Sequence, residues 1–406
     1  MATTYAYRVR DKEGRIVEGN LEADSVPLVA GKLRSMGYTP INIESKEAAK
    51  LQSDIKIPGI TDRVKLKDIS VMSRQLATMI NSGLSLLKAL TILGEQTENK
   101  VLAAAITEVR LDVERGASFS QAIAKQPKVF NTLYVAMVKS GEVSGTLDEV
   151  LTRLADTLER QLELRRRVRS AMTYPAVVAV LVGLITTAML VFIIPQFETM
   201  YADLGGTLPL PTRALLFISS VARTFFIPIV VLEIVGLVVF LKWIKTEKGR
   251  ASWDAFKLRV PIFGKLVQKV ALARFSRTLA ALTRSGVPIL EALDIVAETA
   301  GNTVVATAVR DTQRSVKTGE SLAKPLERHE VFPAMVVQML AVGEETGALD
   351  EMLDKVADFY DQEVAATVDA LTSIIEPLLI AVMGGVVGTM IIALYLPMFN
   401  IINLIK

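Results

Sequence analysis

The chain has 406 residues, of which 51% are hydrophobic and 22% are charged, and this combination is typical of a membrane protein with substantial soluble parts. The formal net charge of +3 is small against 46 basic and 43 acidic residues, which argues against a general nucleic-acid binder. Because the chain has no cysteine and one histidine, His329, thiol nucleophiles and cysteine-ligated or histidine-cluster metal sites are excluded, and we expect no cofactor.

The first 45 residues have an alternating pattern that indicates β-strands. The segments YAYRVR and RIVEGNLEA predict a hairpin around DKEG, and PINIE predicts a short strand. Between them, Asp24 or Ser25 is a candidate cap for a helix that ends near Gly37. Charged residues stand where a signal peptide needs its apolar core, so we expect this small α/β module to stay in the cytosol.

Three apolar stretches are candidate membrane spans. Ser170–Phe197 and Pro377–Ile405 contain no charged residue, and each exceeds the roughly 20 apolar residues that cross a ~30 Å hydrocarbon core. A third stretch, Thr224–Ile244, carries Glu233 near its middle, where a charge is expensive. Glu233 is therefore a functional candidate on the path of a subunit that leaves the membrane, although a protonated or hydrogen-bonded carboxyl between helices is the simpler explanation.

Basic residues at the ends of the spans predict their orientation. The basic flanks are Arg165, Arg166, Arg167 and Arg169 before the first span, and Lys242, Lys245, Lys248 and Arg250 after the second. The loop between these two spans is short and less basic, as an external loop should be. We therefore expect a cytosolic amino terminus and an external, periplasmic carboxyl terminus.

The sequence contains an internal duplication. SRQLATMINSGLSLLKAL, Ser73–Leu90, aligns with SRTLAALTRSGVPILEAL, Ser276–Leu293, at an offset of 203. After a one-residue deletion the offset is 202, and it continues to the ends of the first and last spans. The repeated unit is thus a cytosolic helical domain with the span that follows it. Two such parallel units require the chain to cross back between them, through the stretch Thr224–Ile244.

These patterns together predict an all-α membrane protein with two duplicated cytosolic six-helix bundles, three transmembrane helices and a small N-terminal α/β module. The predicted boundaries are, in chain order, the module at 1–45, a linker at 46–67, bundle 1 at 68–170, transmembrane helix 1 at 171–197, an external loop at 198–222, transmembrane helix 2 at 223–244, a cytosolic linker at 245–270, bundle 2 at 271–375 and transmembrane helix 3 at 376–400.

One acidic corner occurs in both repeats. GEVSGTLDEVL begins at Gly141 and GEETGALDEML begins at Gly343, and seven of the eleven positions match. In the first copy, Gly141 and Gly145 are predicted to break the helix and Thr146 with Glu149 to form a capping box. Ala348 replaces the capping threonine in the second copy, so capping alone explains the retained acids less well there.

Retention of the acidic set makes a partner-binding role as plausible as a purely architectural one. The predicted partner-binding residues are Gly141, Glu142, Gly145, Leu147 and Asp148, with Gly343, Glu344, Gly347, Leu349 and Asp350. A metal bound by Glu142 and Asp148 is a weaker alternative, because hard cations prefer several carboxylates, and no metal site is predicted.

Small residues in the spans predict close helix contacts. Gly384 and Gly388 form a G-x-x-x-G pair, and Gly183 lies on a face of small residues in the first span. Contact within one chain and contact between copies explain this pattern equally well.

The repeat motifs resemble one known family. The R-Q-L-A-x-x-x-x-S-G opening at Arg74–Gly83, the two G-E-x-x-G-x-L-D corners and the Tyr174-Pro175 entry to the first span are similar to the inner-membrane platform proteins of type IV pilus and type II secretion machines. The resemblance covers nearly the whole chain. ATM at Ala77–Met79 and KLKDIS at Lys65–Ser70 favour the pilus branch.

The resemblance implies a non-enzymatic scaffold in the inner (cytoplasmic) membrane. Its cytosolic bundles are expected to contact a hexameric assembly ATPase, and its membrane part to hand pilin or pseudopilin subunits into the growing fibre. Other inner-membrane assembly proteins, membrane lipids and further copies of the same chain are the other implied partners. Nucleic acid is not among them.

The chain also lacks a phosphate-binding loop of its own. Gly31-Lys32 and Gly264-Lys265 have neither the upstream glycine nor the following serine or threonine, so the energy must come from another protein. A membrane transporter or a receptor with duplicated helical cytosolic domains is the alternative. The first should show paired broken helices and the second a larger external sensor.

Overall fold

The structure is a computed structural model, which describes residues 3–10, 16–23, 26–45, 63–196 and 210–404. The chain divides into two compact units. The first unit consists of the residues up to Val64 together with Asn99–Val101, and the second contains the other residues from Lys65 onward.

The amino-terminal unit contains a three-stranded antiparallel sheet and one helix. Its elements are β1 (Thr3–Arg10), β2 (Ile16–Ala23), α1 (Val26–Ser35) and β3 (Thr39–Ser45), with strand order β2-β1-β3. Val29 and Leu33 lie four residues apart on one face of α1 and pack with Val9 of β1 in the core of this unit. The predicted turn and the predicted caps Asp24 and Ser25 lie outside the described residues.

The second unit is helical throughout its described residues. The first repeat forms α2 (Leu66–Asn81), α3 (Leu86–Gln96), α4 (Lys100–Glu114), α5 (Phe119–Ala124), α6 (Thr132–Ser144) and α7 (Leu147–Ala188). Between the repeats are α8 (Leu210–Thr224), α9 (Phe226–Lys245) and α10 (Glu247–Arg259). The second repeat forms α11 (Phe263–Arg284), α12 (Ile289–Thr299), α13 (Thr303–Lys317), α14 (Ala323–Glu327), α15 (Ala334–Thr346) and α16 (Leu349–Leu404).

The helix boundaries reproduce the duplication. Helices α3 and α12 begin and end 203 positions apart, whereas α6 and α15 begin and end 202 positions apart. Helices α5 and α14 end 203 positions apart, at Ala124 and Glu327, so the one-residue deletion falls in the turn that follows the short helix α14. It leaves α6 and α15 equal in length.

Two helices in the described residues, Leu147–Gln196 and Leu349–Ala393, are long and apolar enough to cross a membrane. Each begins inside a bundle and continues without a break into its apolar stretch, and Pro175 lies inside α7 without ending it. At ~1.5 Å per residue, the 50 residues of the first extend about 75 Å. The last helix of each bundle and the apolar stretch are thus one continuous rod.

The described part of the predicted external loop at 198–222 contains most of the helix α8. Met189–Ile193 at the end of α7 has π-helical bonding, and Pro195 has no N–H to offer the Leu190 carbonyl in that register. The Ser219 hydroxyl of α8 donates to that carbonyl instead, and Thr212 of α8 donates to the Ala393 carbonyl of α16 at 2.7 Å. Helix α8 therefore bridges the two long helices.

The predicted linker at 245–270 also contains a helix, α10. The Thr246 hydroxyl accepts from the Gly249 N–H and caps its first turn. The buried Asp254 carboxylate accepts from the Thr303 N–H at 2.9 Å and so caps α13. Burial acts to raise the pKa of Asp254, but hydrogen bonds from Lys257 and Thr303 outweigh it and leave the pKa below its usual value. Helix α10 is thereby fixed to the second bundle.

In each bundle, one arginine forms ion pairs with two acidic residues in the same arrangement. Arg74 of α2 binds Asp156 and Glu159 of α7, and it lowers the pKa of Glu159 through its hydrogen bond. In the second bundle, Arg277 of α11 binds Asp358 and Asp361 of α16, both at 2.7 Å. The acids are three residues apart in both copies, so they lie on one face of each long helix.

The two bundles are joined along a seam, which we define as Ser140, Arg153 and Arg160 of the first bundle with Arg284, Ser285 and Asp358 of the second. Arg160 binds Asp358 at 3.0 Å, Arg153 donates to the Arg284 carbonyl at 2.7 Å, and the Ser140 hydroxyl donates to the Ser285 carbonyl. An apolar junction continues the seam. It consists of Leu164, Val168 and Ala171 of α7, Leu266 and Val270 of α11, and Val364, Val368 and Leu371 of α16.

Replacing Arg74 and Arg277 by methionine is expected to have unequal effects. The Arg277 side chain is 9% exposed and that of Arg74 is 36% exposed, so the ion pairs of Arg277 are better shielded from water than those of Arg74. We expect Arg277→Met to reduce stability by about 2 kcal/mol and Arg74→Met by less than about 1 kcal/mol. Thermal unfolding in detergent should show Tm falling by about 4–8 °C for the first. Equal shifts for both variants would contradict this assignment.

Candidate functional site

The two repeated corners connect α6 to α7 and α15 to α16. Gly145 and Gly347 end the first helix of each pair with φ of 75° and 71°, a left-handed conformation that a residue with a side chain rarely adopts. The predicted helix break is therefore correct at Gly145, and Gly347 ends its helix in the same way. Each corner turns within two residues, because α7 begins at Leu147 and α16 begins at Leu349.

The other glycine of each corner does not break a helix, and this part of the prediction is wrong. Gly141 lies inside α6 and Gly343 inside α15. A Cβ atom at Gly141 would lie 3.2 Å from the Leu147 Cα, and one at Gly343 would lie 2.9 Å from the Leu349 Cα. These glycines let the following helix pack directly on the backbone of the preceding one.

The glutamates of the corners cap a short helix of their own bundle. The Glu142 carboxylate accepts from the backbone N–H groups of Phe119 and Ser120, at the start of α5. The Glu344 carboxylate accepts from the Leu322 N–H with both oxygens, at 3.0 and 2.9 Å, at the start of α14. A carboxylate at a helix amino terminus satisfies unpaired N–H groups and complements the helix dipole. These capping contacts explain why both corners contain a glutamate, and no partner protein is needed for that explanation.

The aspartates of the corners differ between the copies. Asp350 binds Arg284 at 3.1 Å, and Arg284 also binds Asp354. The equivalent of Arg284 in the first bundle is Asn81, whose amide donates to the Thr152 hydroxyl at 2.9 Å. A neutral pair thus replaces an ion pair there. Asp148 is left exposed at the surface of the first corner.

The predicted capping box is wrong. Thr146 does precede α7, but its hydroxyl makes no capping bond and instead lies 2.7 Å from the Ser144 hydroxyl. Glu149 binds Arg153 at 3.1 Å, one turn further along α7. The close packing of Leu147 against Gly141 places the first turn of α7, so the cap is not needed to position it.

The weaker metal alternative at Glu142 and Asp148 finds no support. Glu142 is committed to two backbone N–H groups of α5. Among the described residues there is no group of three or more histidine, cysteine, aspartate or glutamate side chains arranged to hold a metal ion.

The sequence reasoning missed the residues that join the two bundles. Arg160 and Asp358 meet across the seam although they are 198 positions apart. A usable signal was present, because Arg74 aligns with Arg277, and the pair Asp156 and Glu159 aligns with Asp358 and Asp361. Polar positions retained under the repeat offset were therefore as informative as the corner motif.

The membrane candidates lie on exposed faces. Glu233 is exposed on α9. A Cβ atom at Gly183, Gly384 or Gly388 would meet no other atom within 4 Å. Contact within one chain, one of the two explanations for the small residues, is thus not what the described part of the chain shows. Contact between copies stays a prediction.

Two family models match the chain. The model for type II secretion system protein F matches residues 72–195 and again residues 275–397. The starts of these matches are 203 positions apart and their ends 202, as in the helices. The model for the N-terminal domain of type II secretion system protein F matches residues 1–44.

Curated relatives extend over almost the whole chain. The type IV pilus assembly protein PilC of Thermus thermophilus is 46% identical over 98% of this chain and 98% of its own length. The PilC protein of Myxococcus xanthus is 42% identical over 99% and 96%. The type II secretion system protein F of Pseudomonas aeruginosa is 32% identical over 99% of both chains. The chain therefore belongs to the type II secretion system protein F family and, within it, to the type IV pilus branch.

Proposed function

We propose that the chain is the inner-membrane platform of a type IV pilus machine. In this role it couples a cytosolic hexameric assembly ATPase to the insertion of pilin subunits into the growing fibre, without a catalytic step of its own. The observation that carries the proposal is the continuity of α7 and α16, each of which begins at a corner in a bundle and ends in an apolar stretch. A force on the bundles would reach the membrane through rigid helices.

In the proposed topology α9 is transmembrane helix 2, the span between the two repeats. It is a 20-residue helix with exposed apolar side chains such as Leu232 and Leu237, and its last turn contains Lys242 and Lys245. Its length matches a ~30 Å hydrocarbon core at ~1.5 Å per residue. With the basic residues before the first span, this places both bundles and the amino terminus in the cytosol and the carboxyl terminus in the periplasm.

The proposed mechanical unit is the pair of bundles rather than either bundle alone. The seam joins them by ion pairs and backbone-directed hydrogen bonds, and the apolar junction joins α7, α11 and α16. A partner that moves one bundle would therefore move the other and both long helices. A platform that passes work from an ATPase to the membrane needs this property.

The first corner is the surface that we propose for contact with the ATPase. Asp148 is exposed there, and Val143, five positions earlier in the chain, is 85% exposed. The second corner offers less, because Asp350 is already paired with Arg284. Glu142 and Glu344 are already engaged as helix caps, so a partner would contact the aspartates instead. Asp148 is exposed for such a contact, whereas Asp350 is paired with Arg284. We therefore narrow the predicted partner-binding set, which included both corners, to the first corner.

The proposed route of the fibre subunit lies along the membrane helices. Glu233 is a carboxyl on an exposed face of α9 that otherwise carries apolar side chains. Such a group is stable in a bilayer only beside a partner, water or another helix. The amino-terminal segment of a pilin leaving the bilayer would supply that partner, and a second copy of this chain is the alternative.

Charge reversal at the first corner tests the ATPase contact. We expect Asp148→Lys to weaken binding of the organism's own assembly ATPase to the full-length protein by at least about tenfold, as for loss of a charged hydrogen bond. Its stability should fall by no more than about 1 kcal/mol, because the replaced side chain is exposed and only its interaction with the dipole of α7 is reversed. Binding would be measured on protein in nanodiscs with ATP present.

Glu345→Lys is the matched control, because it makes the same charge change at an exposed position of the second corner. It should leave binding intact. If Asp148→Lys binds as the wild type does, the first corner is not the contact. If the wild type itself does not bind, the coupling to an ATPase is wrong.

Removal of the corner glutamates tests their architectural role. We expect Glu142→Ala and Glu344→Ala each to reduce stability by about 1–2 kcal/mol, because backbone N–H groups of α5 or α14 lose their acceptor. Asp148→Ala should change stability by less than about 0.5 kcal/mol. Thermal unfolding of the three variants in detergent would show the difference. A Glu142→Ala protein with unchanged Tm but lost ATPase binding would return that residue to the partner-binding set.

A further inference from the structure

Four aromatic rings form a continuous row from the end of α9 onto α10. The centroids of Trp243 and Phe240 are 6.2 Å apart, those of Phe240 and Trp253 are 5.1 Å apart, and those of Trp253 and Phe256 are 5.5 Å apart. The chain has only two tryptophans, and both are in this aromatic row. Ring contacts at these distances stabilise the angle between the two helices.

Three of the four rings in the aromatic row are exposed, and Trp253 is half-buried. Phe256 is 55% exposed, Trp243 is 44% exposed and Phe240 is 38% exposed. Asp254, which fixes α10 to the second bundle, lies two residues before Phe256 and so about 200° away around the helix. Phe256 therefore faces away from the bundle, and with Phe240 and Trp243 it forms an exposed apolar surface beside the half-buried Trp253.

The junction between α9 and α10 is a tight corner. A Cβ atom at Gly249 would lie 2.0 Å from the Trp243 carbonyl oxygen, so α10 folds back against the end of α9. The Thr246 cap starts α10 immediately after this corner. Helix α10 thus stays close to the level at which α9 ends.

Basic residues surround the aromatic row. Lys242 and Lys245 end α9, Lys248 and Arg250 lie in the first turn of α10, and all four side chains are exposed. Tryptophan and lysine together at the end of a span are typical of the boundary between hydrocarbon and headgroups. Basic residues beside an exposed apolar face complement anionic phospholipids.

We propose that α10 lies on the cytosolic surface of the bilayer, with the aromatic row in the headgroup layer and the basic residues on lipid phosphates. This inference rests on the proposed function, because it requires α9 to cross the membrane. It goes further in assigning a lipid-binding surface to the segment between the repeats. Since Asp254 ties α10 to α13, the second bundle is held against the membrane at a point separate from α16.

Tryptophan quenching by brominated lipids tests the surface directly. The full-length protein would be placed in nanodiscs with phospholipids brominated near the top of the acyl chain. Trp243→Phe leaves Trp253 of α10 as the reporter, and Trp253→Phe leaves Trp243 of α9. Both variants keep an aromatic ring at each position of the row. We expect both reporters to lose intensity and to emit at shorter wavelength than a tryptophan in water.

The matched control places a tryptophan on a bundle. Phe359→Trp, in a chain with both native tryptophans changed to phenylalanine, has a reporter at a position that is 44% exposed, as Trp243 is. It lies on α16 about 27 Å before Pro377, counting 18 residues at ~1.5 Å each. This reporter should not be quenched.

The outcomes separate this inference from the topology beneath it. Quenching of Trp243 without quenching of Trp253 would retain α9 as a span and overturn the placement of α10. Quenching of neither would overturn both. The nanodiscs contain only this chain and lipid. Quenching of Trp243 alone is therefore also the result expected if the aromatic row binds a partner protein instead of lipid.

Discussion

The carboxylate of Asp358 is the polar contact that links the ion pairs of the two bundles. One of its oxygens accepts from Arg277 of its own bundle at 2.7 Å and from Arg160 of the other bundle at 3.0 Å. The equivalent acid of the first repeat, Asp156, is held by its own arginine, Arg74. Duplication thus produced two similar arginine–acid clusters. The cluster of the second bundle also includes Arg160 from the other side of the seam. Around it, the apolar junction of α7, α11 and α16 brings the two long helices together before their apolar stretches begin.

The repeated corners owe most of their likeness to packing and capping. Gly141 and Gly343 allow two helices to touch along their backbones. Glu142 and Glu344 each accept hydrogen bonds from backbone N–H groups at the start of a short helix, about 22 residues earlier in the chain. The copies differ where the fold does not require likeness. Asp350 has an arginine partner, whereas Asp148 is exposed. Differences between duplicated sites therefore indicate the surface available to another protein better than their similarities do.

Much of this fold could be predicted from local pattern. Hydropathy located the two long helices, the repeat offset located equivalent elements, and a helix break was expected at Gly145. The seam could not be predicted, because residues 160 and 358 become neighbours only when two bundles pack. The helix after residue 210 was missed because the surrounding prolines favour a turn. Its support comes from hydroxyl groups that donate to carbonyls of the two long helices, a tertiary effect.

The central claim is that both bundles move as one body with the membrane helices. Because the chain has no native cysteine, spin labels can be attached at Lys128→Cys in the first bundle and Arg314→Cys in the second, both exposed positions. Electron–electron double resonance on the protein in nanodiscs would give the distance between them. One narrow distribution, unchanged when the assembly ATPase is added with ATP or ADP, is the predicted result. A second distance that appears with nucleotide would contradict the account.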